Sequence, residues 1–279
     1  MIRSSLLLLA GALSLGAQAS EPLRGDEGIG YYVAVDSLAT IASGTYAGQA
    51  NPNHGRLTFL FDHGNHFHGI GAYSYTGPGS APVVNGTNAN NRIPETYTLA
   101  APLPLTAGSG SYAGLLVSSV LPEAALQHEY SYLGMSSIQS LAGNPAGSER
   151  DVLFNSSRGR WNGALDNVSV ALKLESITPG LKVAAGGDTD LFDTGNLHLL
   201  GAGNSFDFLP VFWTAADAAP GTYSAQFSLV NLGSNLAVRD SGTFHFDFAV
   251  AAPVPEPGTW AMLLGGLFMI GLTAARRAR

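Results

Sequence analysis

The feature that most constrains this chain is a period-2 alternation, cut at short intervals by Gly, Asn and Pro. In 222–230, Tyr223, Ala225, Phe227 and Leu229 share one face of an extended chain. In 243–250, Phe244, Phe246 and Phe248 share one face, and His245 and Asp247 lie on the other. Shorter runs at 29–35, 112–120, 167–174, 197–200 and 205–212 read as further strands. Segments 56–61 and 66–75 flank the turn Asp62-His63-Gly64-Asn65, which predicts a hairpin. Helix is expected only as a single turn at 122–127, with Pro122 at its start. Long loops are expected at 77–96 and 140–150.

The predicted fold class is therefore all-β and sandwich-like, as one body or as two packed β subdomains. A boundary near 159–163 would leave an N-terminal β region, 20–160, and a C-terminal part, 161–253. The latter has the size and strand spacing of an immunoglobulin-like sandwich.

Both ends read as sorting segments. Arg3 precedes the apolar run 6–15, and Ala17-Gln18-Ala19 has the A-x-A form of a cleavage site, so 1–19 is expected to be a signal peptide. At the other end 259–275 carries no charge and is followed by Arg276, Arg277 and Arg279. As a helix it would span roughly 25 Å, near the lower limit for crossing a bilayer, with the arginines on the cytoplasmic side. A core helix would show a polar face at a period of 3.6, and this segment has none.

Composition narrows the partners. The chain has 13 Lys+Arg against 20 Asp+Glu, a net charge of −7, which argues against nucleic acid and is compatible with cations. It has no cysteine, so disulfides and thiolate metal sites are excluded.

Four of the seven histidines fall between His54 and His68. In a strand His66 and His68 share one face while Phe67 points to the core, and the turn can bring Asp62 or His63 over that face. Two imidazoles plus a third N or O donor suit Zn²⁺ in tetrahedral geometry, ahead of Cu²⁺ or Ni²⁺. The candidate ligands are His66, His68, His63, His54 and Asp62. The competing reading is a solvated strand face. A weaker set is His198, Asp207, His245 and Asp247, for which a partly buried histidine bonded to a neighbour is the simpler explanation. The run Asp188-Thr189-Asp190 lacks the further ligands of a calcium loop and reads as an acidic turn. Tyr73, Tyr75 and Tyr97 read as aromatics packed across a sheet, or as the lining of a groove near Arg92. The sequence contains no G-x-S-x-G, HExxH or phosphate loop, and no enzymatic activity is expected.

Residues 254–279 resemble the PEP-CTERM sorting signal of Gram-negative bacteria, through Pro255, Glu256, Pro257, Trp260 and the terminal Arg276 and Arg277. That resemblance implies membrane anchoring by the C-terminal helix, processing by an exosortase, and delivery to the periplasm, the outer surface or the extracellular matrix. A plain membrane anchor is the alternative. The mature region resembles a family of zinc-uptake-regulator (Zur)-repressed PEP-CTERM proteins. The matching residues are Ser43 to Gly48, Asn51-Pro52-Asn53, Arg56 to Phe61, His66 to Gly71, Asn90 to Glu95, Arg160-Trp161, Pro210 to Trp213 and Ser241 to Phe244. This implies expression when zinc is scarce; the histidine cluster beside it adds the expectation of a zinc scavenger or a partner of a zinc uptake system. The other reading is a structural protein associated with exopolysaccharide, whose histidines are incidental. The exported protein is expected to begin at Ser20, which N-terminal sequencing of the secreted form will check.

Overall fold

Strand forms where the alternation is cleanest, because each such segment buries one row of apolar side chains and satisfies its backbone through its neighbours. The computed structural model describes residues 28–253, so the predicted signal peptide and the C-terminal segment lie outside the described residues. Strand accounts for 39% and helix for 9%, and the fold is all-β.

The first half contains β1 (Ile29–Val35), β2 (Leu57–Asp62), β3 (Phe67–Ile70), β4 (Ser74–Thr76) and β5 (Val83–Asn85). It continues with β6 (Arg92–Ile93), β7 (Leu103–Ala107), β8 (Leu115–Ser118) and β9 (Gly134–Ser137). After the helix α1 (Glu149–Asn155) come β10 (Ser169–Ile177), β11 (Lys182–Ala184), β12 (Leu197–Ala202) and β13 (Asp207–Phe208). The last three are β14 (Val211–Ala215), β15 (Gly221–Asn231) and β16 (Phe244–Val250).

One sheet has the order β13-β9-β1-β2-β3. The other runs β11-β14-β8-β7-β16-β15-β10-β12, with β6 also paired to β16. β4 and β5 form a separate ribbon. The expected division near 159–163 does not separate these sheets. β7 and β8 join the second sheet, and β13 returns to the first.

The sheets meet through aromatic rings. Phe59 of β2 stacks on Phe244 of β16 at 4.3 Å between centroids, and on Tyr31 of β1 at 5.0 Å. Tyr31 meets Phe246 edge-on, and Phe212 packs on Phe248 at 4.6 Å. All six rings are fully buried. Gly71, just after β3, has φ +77, and a Cβ there would lie 2.9 Å from the Phe244 ring. Only glycine accepts both that backbone and that approach.

Outside the sheets, Asp36 is buried and anchors the loop after β1. It receives a two-pronged contact from Arg160, a hydrogen bond from Asn51 Nδ2 (3.1 Å) and one from Leu38 N (2.9 Å). The expected turn of helix at 122–127 is instead a pair of tight turns, with Ala125 N bonded to Pro122 O and His128 N to Ala125 O. α1 occupies part of the expected loop at 140–150 and beyond. Ser148 caps it by accepting from Asp151 N, and Leu153 fills a buried site. Ser148-x-x-Asp151 is a legible start signal for that helix.

Because Phe59 contacts both sheets, Phe59→Ala is expected to cost about 3–5 kcal/mol. Denaturant unfolding of the variant will measure this.

Candidate metal centre

The turn between β2 and β3 builds the site. Asp62 Oδ1 accepts from Gly64 N at 2.8 Å, and Gly64 has φ +80, so the backbone reverses tightly. His63 N then bonds to His66 O at 3.0 Å, which puts these two residues opposite each other. The ladder continues as Asp62↔Phe67 and Phe61↔His68. Side chains alternate across a strand, so Phe61, His63, His66 and His68 project from one face. Asp62 and Phe67 project from the other.

The three imidazoles form a triangle. Centroid separations are 5.2 Å for His63–His66, 4.9 Å for His63–His68 and 4.9 Å for His66–His68. Phe67 is buried on the opposite face against Tyr32 and Trp161, as the alternation predicts.

The orientation of two rings follows from their outer partners. His66 Nδ1 lies 2.6 Å from Asn65 Oδ1, and His68 Nδ1 lies 2.9 Å from Glu95 Oε2. Each of these oxygens accepts from a ring that carries its proton on Nδ1, and in a neutral ring of that form the Nε2 lone pair is free; the Tyr97 hydroxyl also lies 3.0 Å from His68 Nδ1. Those two Nε2 atoms face each other at 3.0 Å. Two bare lone pairs at that distance repel unless a proton or a cation lies between them. Two ligands on one tetrahedral zinc, at about 2.05 Å each, stand about 3.3 Å apart.

The third donor is turned away. His63 Nε2 points toward Glu129 Oε2 at 4.0 Å, with both side chains substantially exposed. No group of three or more His, Asp or Glu among the described residues is gathered to hold an ion.

Glu95 was not among the candidates and is the main addition. It lies in the expected long loop at 77–96, two residues beyond β6, and is 4% exposed. Besides His68 it accepts from Tyr130 Oη (3.2 Å) and Tyr97 Oη (3.3 Å). Burial raises the pKa of Tyr130 and Tyr97, and the Glu95 charge raises both further. Tyr31 is raised by burial, then by Tyr130 and Glu95. The phenols therefore remain protonated donors. The only sequence signal for Glu95 was its place in the segment Asn90 to Glu95, which carries no metal-ligand spacing.

Two first-set candidates do not join the cluster. Asp62 faces the other side of the hairpin and caps the turn; burial raises its pKa. His54 lies in the loop before β2, where its carbonyl accepts from Arg239. The second set is dispersed. His198 on β12 and His245 on β16 are three strand steps apart in one sheet, about 14 Å laterally, and are offset along the strands as well. Asp207 is on β13 in the other sheet. His198 packs against Phe208, and burial lowers its pKa. Asp247 is buried by Arg92 and Ser224, and His245 is lowered by burial and then by Arg92. Of the aromatics, Tyr73 lies under Arg56, Tyr75 packs on Tyr46, and Tyr97 belongs to the Glu95 cluster. Asp188 and Asp190 form a turn, with Asp190 paired to Lys182.

Beside the hairpin turn is an open cleft of about 750 Å³ whose lining includes Asp62, Glu123, His128 and Glu129. No helix among the described residues is long and apolar enough to cross a membrane. No family model matches the chain, and no curated protein or solved structure matches it significantly.

Desolvation lowers the pKa of His66, and charge on His68 and His63 lowers it further. A histidine lowered in this way stays neutral to lower pH than an ordinary one. Proton NMR titration of the metal-free protein is expected to give His66 a midpoint below the usual histidine value of about 6.5.

Proposed function

We propose that this chain is an exported, non-enzymatic protein that binds Zn²⁺ when the ion is scarce, as a scavenger or as a partner of an uptake system. The two stacked sheets act in this reading as one sandwich-like scaffold. His66 and His68 supply two nitrogen donors. His63 supplies the third after turning its ring away from Glu129. Three imidazoles are neutral donors, so the ion keeps its charge and takes water or an anionic oxygen as the fourth ligand.

The observation that carries this reading is the facing pair of Nε2 atoms at 3.0 Å, with an acceptor oxygen beside the Nδ1 of each ring. An incidental surface histidine pair has no reason to be held from behind on both rings. Export and zinc-limited expression rest on the sequence resemblance, as do processing by an exosortase and the C-terminal membrane anchor. An exopolysaccharide-associated structural role is the competing outcome.

Isothermal titration of the purified protein with Zn²⁺ is expected to give about one ion per chain. The His66→Ala/His68→Ala pair should lose at least the roughly 100-fold that outer-shell changes alone can cost. Binding weaker than about 0.1 mM, or an unchanged affinity in the double variant, would favour the structural role.

A further inference from the structure

Three carboxylates are buried among the described residues: Asp36, Asp247 and Glu95. Asp36 is met by Arg160 and Asp247 by Arg92, each through two guanidinium nitrogens. Burying a carboxylate is costly unless a charge or several donors compensate, and a guanidinium does so. Glu95 is compensated differently. Its contacts are one imidazole nitrogen, His68 Nδ1, and two phenols, Tyr97 and Tyr130; the Tyr97 hydroxyl lies between the two groups, 3.3 Å from the carboxylate and 3.0 Å from His68 Nδ1. Tyr130 is itself held in place, stacked on Phe61 at 4.6 Å and with its carbonyl accepting from Tyr31 Oη at 3.0 Å.

We propose that Glu95 is the positioning residue of the metal centre. From behind, it holds His68 as the Nδ1–H tautomer and directs the Nε2 lone pair at the ion. Its negative charge makes that nitrogen a stronger donor, and a divalent ion on Nε2 supplies the positive charge that arginine supplies to the other two buried acids. Such carboxylate–imidazole–metal arrangements are a general means of orienting a ligand. The assignment of an ion to this site rests on the zinc reading above; the tautomer does not.

The position of Glu95 in the fold makes it suited to this task. It follows β6, whose Arg92 and Ile93 pair in parallel with His245 and Phe246 of β16. Its carbonyl accepts from Thr98 N and Thr98 Oγ1, which holds the residue at the start of a 3-10 turn, Thr96–Thr98. The carboxylate thus belongs to the second sheet, while His68 belongs to the first. Rigid elements on both sides hold the contact, which is what a preorganised ligand requires.

The test uses the full chain and three variants, Glu95→Gln, Glu95→Ala and Tyr130→Phe. In the metal-free protein, long-range ¹H–¹⁵N NMR of the imidazoles is expected to show the Nδ1–H form for His68. Glu95→Ala should shift His68 toward Nε2–H. Glu95→Gln keeps an acceptor and should retain the tautomer while losing the charge. Zinc affinity measured by titration should fall by about 10–100-fold in Glu95→Ala and by less in Glu95→Gln, with Tyr130→Phe showing a smaller loss. If Glu95→Ala does not fold, Glu95→Gln and Tyr130→Phe carry the affinity test. Wild-type His68 in the Nε2–H form overturns the proposal, and so does unchanged zinc affinity in both Glu95 variants. If the wild-type chain takes up no zinc, the zinc reading fails, and the tautomer measurement still decides whether Glu95 sets His68.

Discussion

The stack of Phe59 on Phe244 is the contact on which the other arrangements depend. It joins β2 of one sheet to β16 of the other, and each strand carries part of the candidate centre. β2 runs directly into the histidine turn, and β16 pairs with β6, which leads to Glu95. The approach of the sheets is limited by ring thickness, and Gly71 lets the chain pass against Phe244 at the end of the hairpin. The 2.9 Å contact between His68 and Glu95 is therefore a consequence of how the two sheets are spaced. Aromatic burial, which dominates cores of this kind, also sets the polar geometry at their edge.

Charge is handled in two ways in this interior. Asp36 and Asp247 are neutralised by arginine forks and tie loops or strands together. Glu95 is wrapped by hydroxyls and one imidazole, and its influence passes through His68 to the surface. The first arrangement is closed. The second ends at His68 Nε2, which faces His66 Nε2 at 3.0 Å.

Much of the fold was legible because strands announce themselves locally. The alternation in 222–230 and 243–250 matches β15 and β16 closely, and Asp62-His63-Gly64-Asn65 forms the predicted hairpin turn. The pairing of His66 and His68 on one face follows from the same period, as does the burial of Phe67 opposite them. Asp62 was harder to place, since one residue of register decides which face it takes. His54 was grouped with the others by proximity in sequence, which has no force once a loop intervenes. α1 escaped because its short amphipathic pattern was outweighed by the Gly and Pro around it, although its capping residues were readable.

By itself, the sequence determined the all-β class, the principal strands, the absence of thiol chemistry and the histidine hairpin, because all of these depend on neighbours a few residues apart. Only the tertiary structure decided which sheets the strands enter, that strands from both sides of residue 160 share them, and which carboxylate stands behind His68. Glu95 and Glu129 are 27 and 61 residues from His68 along the chain. Packing of two sheets brings them near, and no local pattern encodes a contact made across that distance.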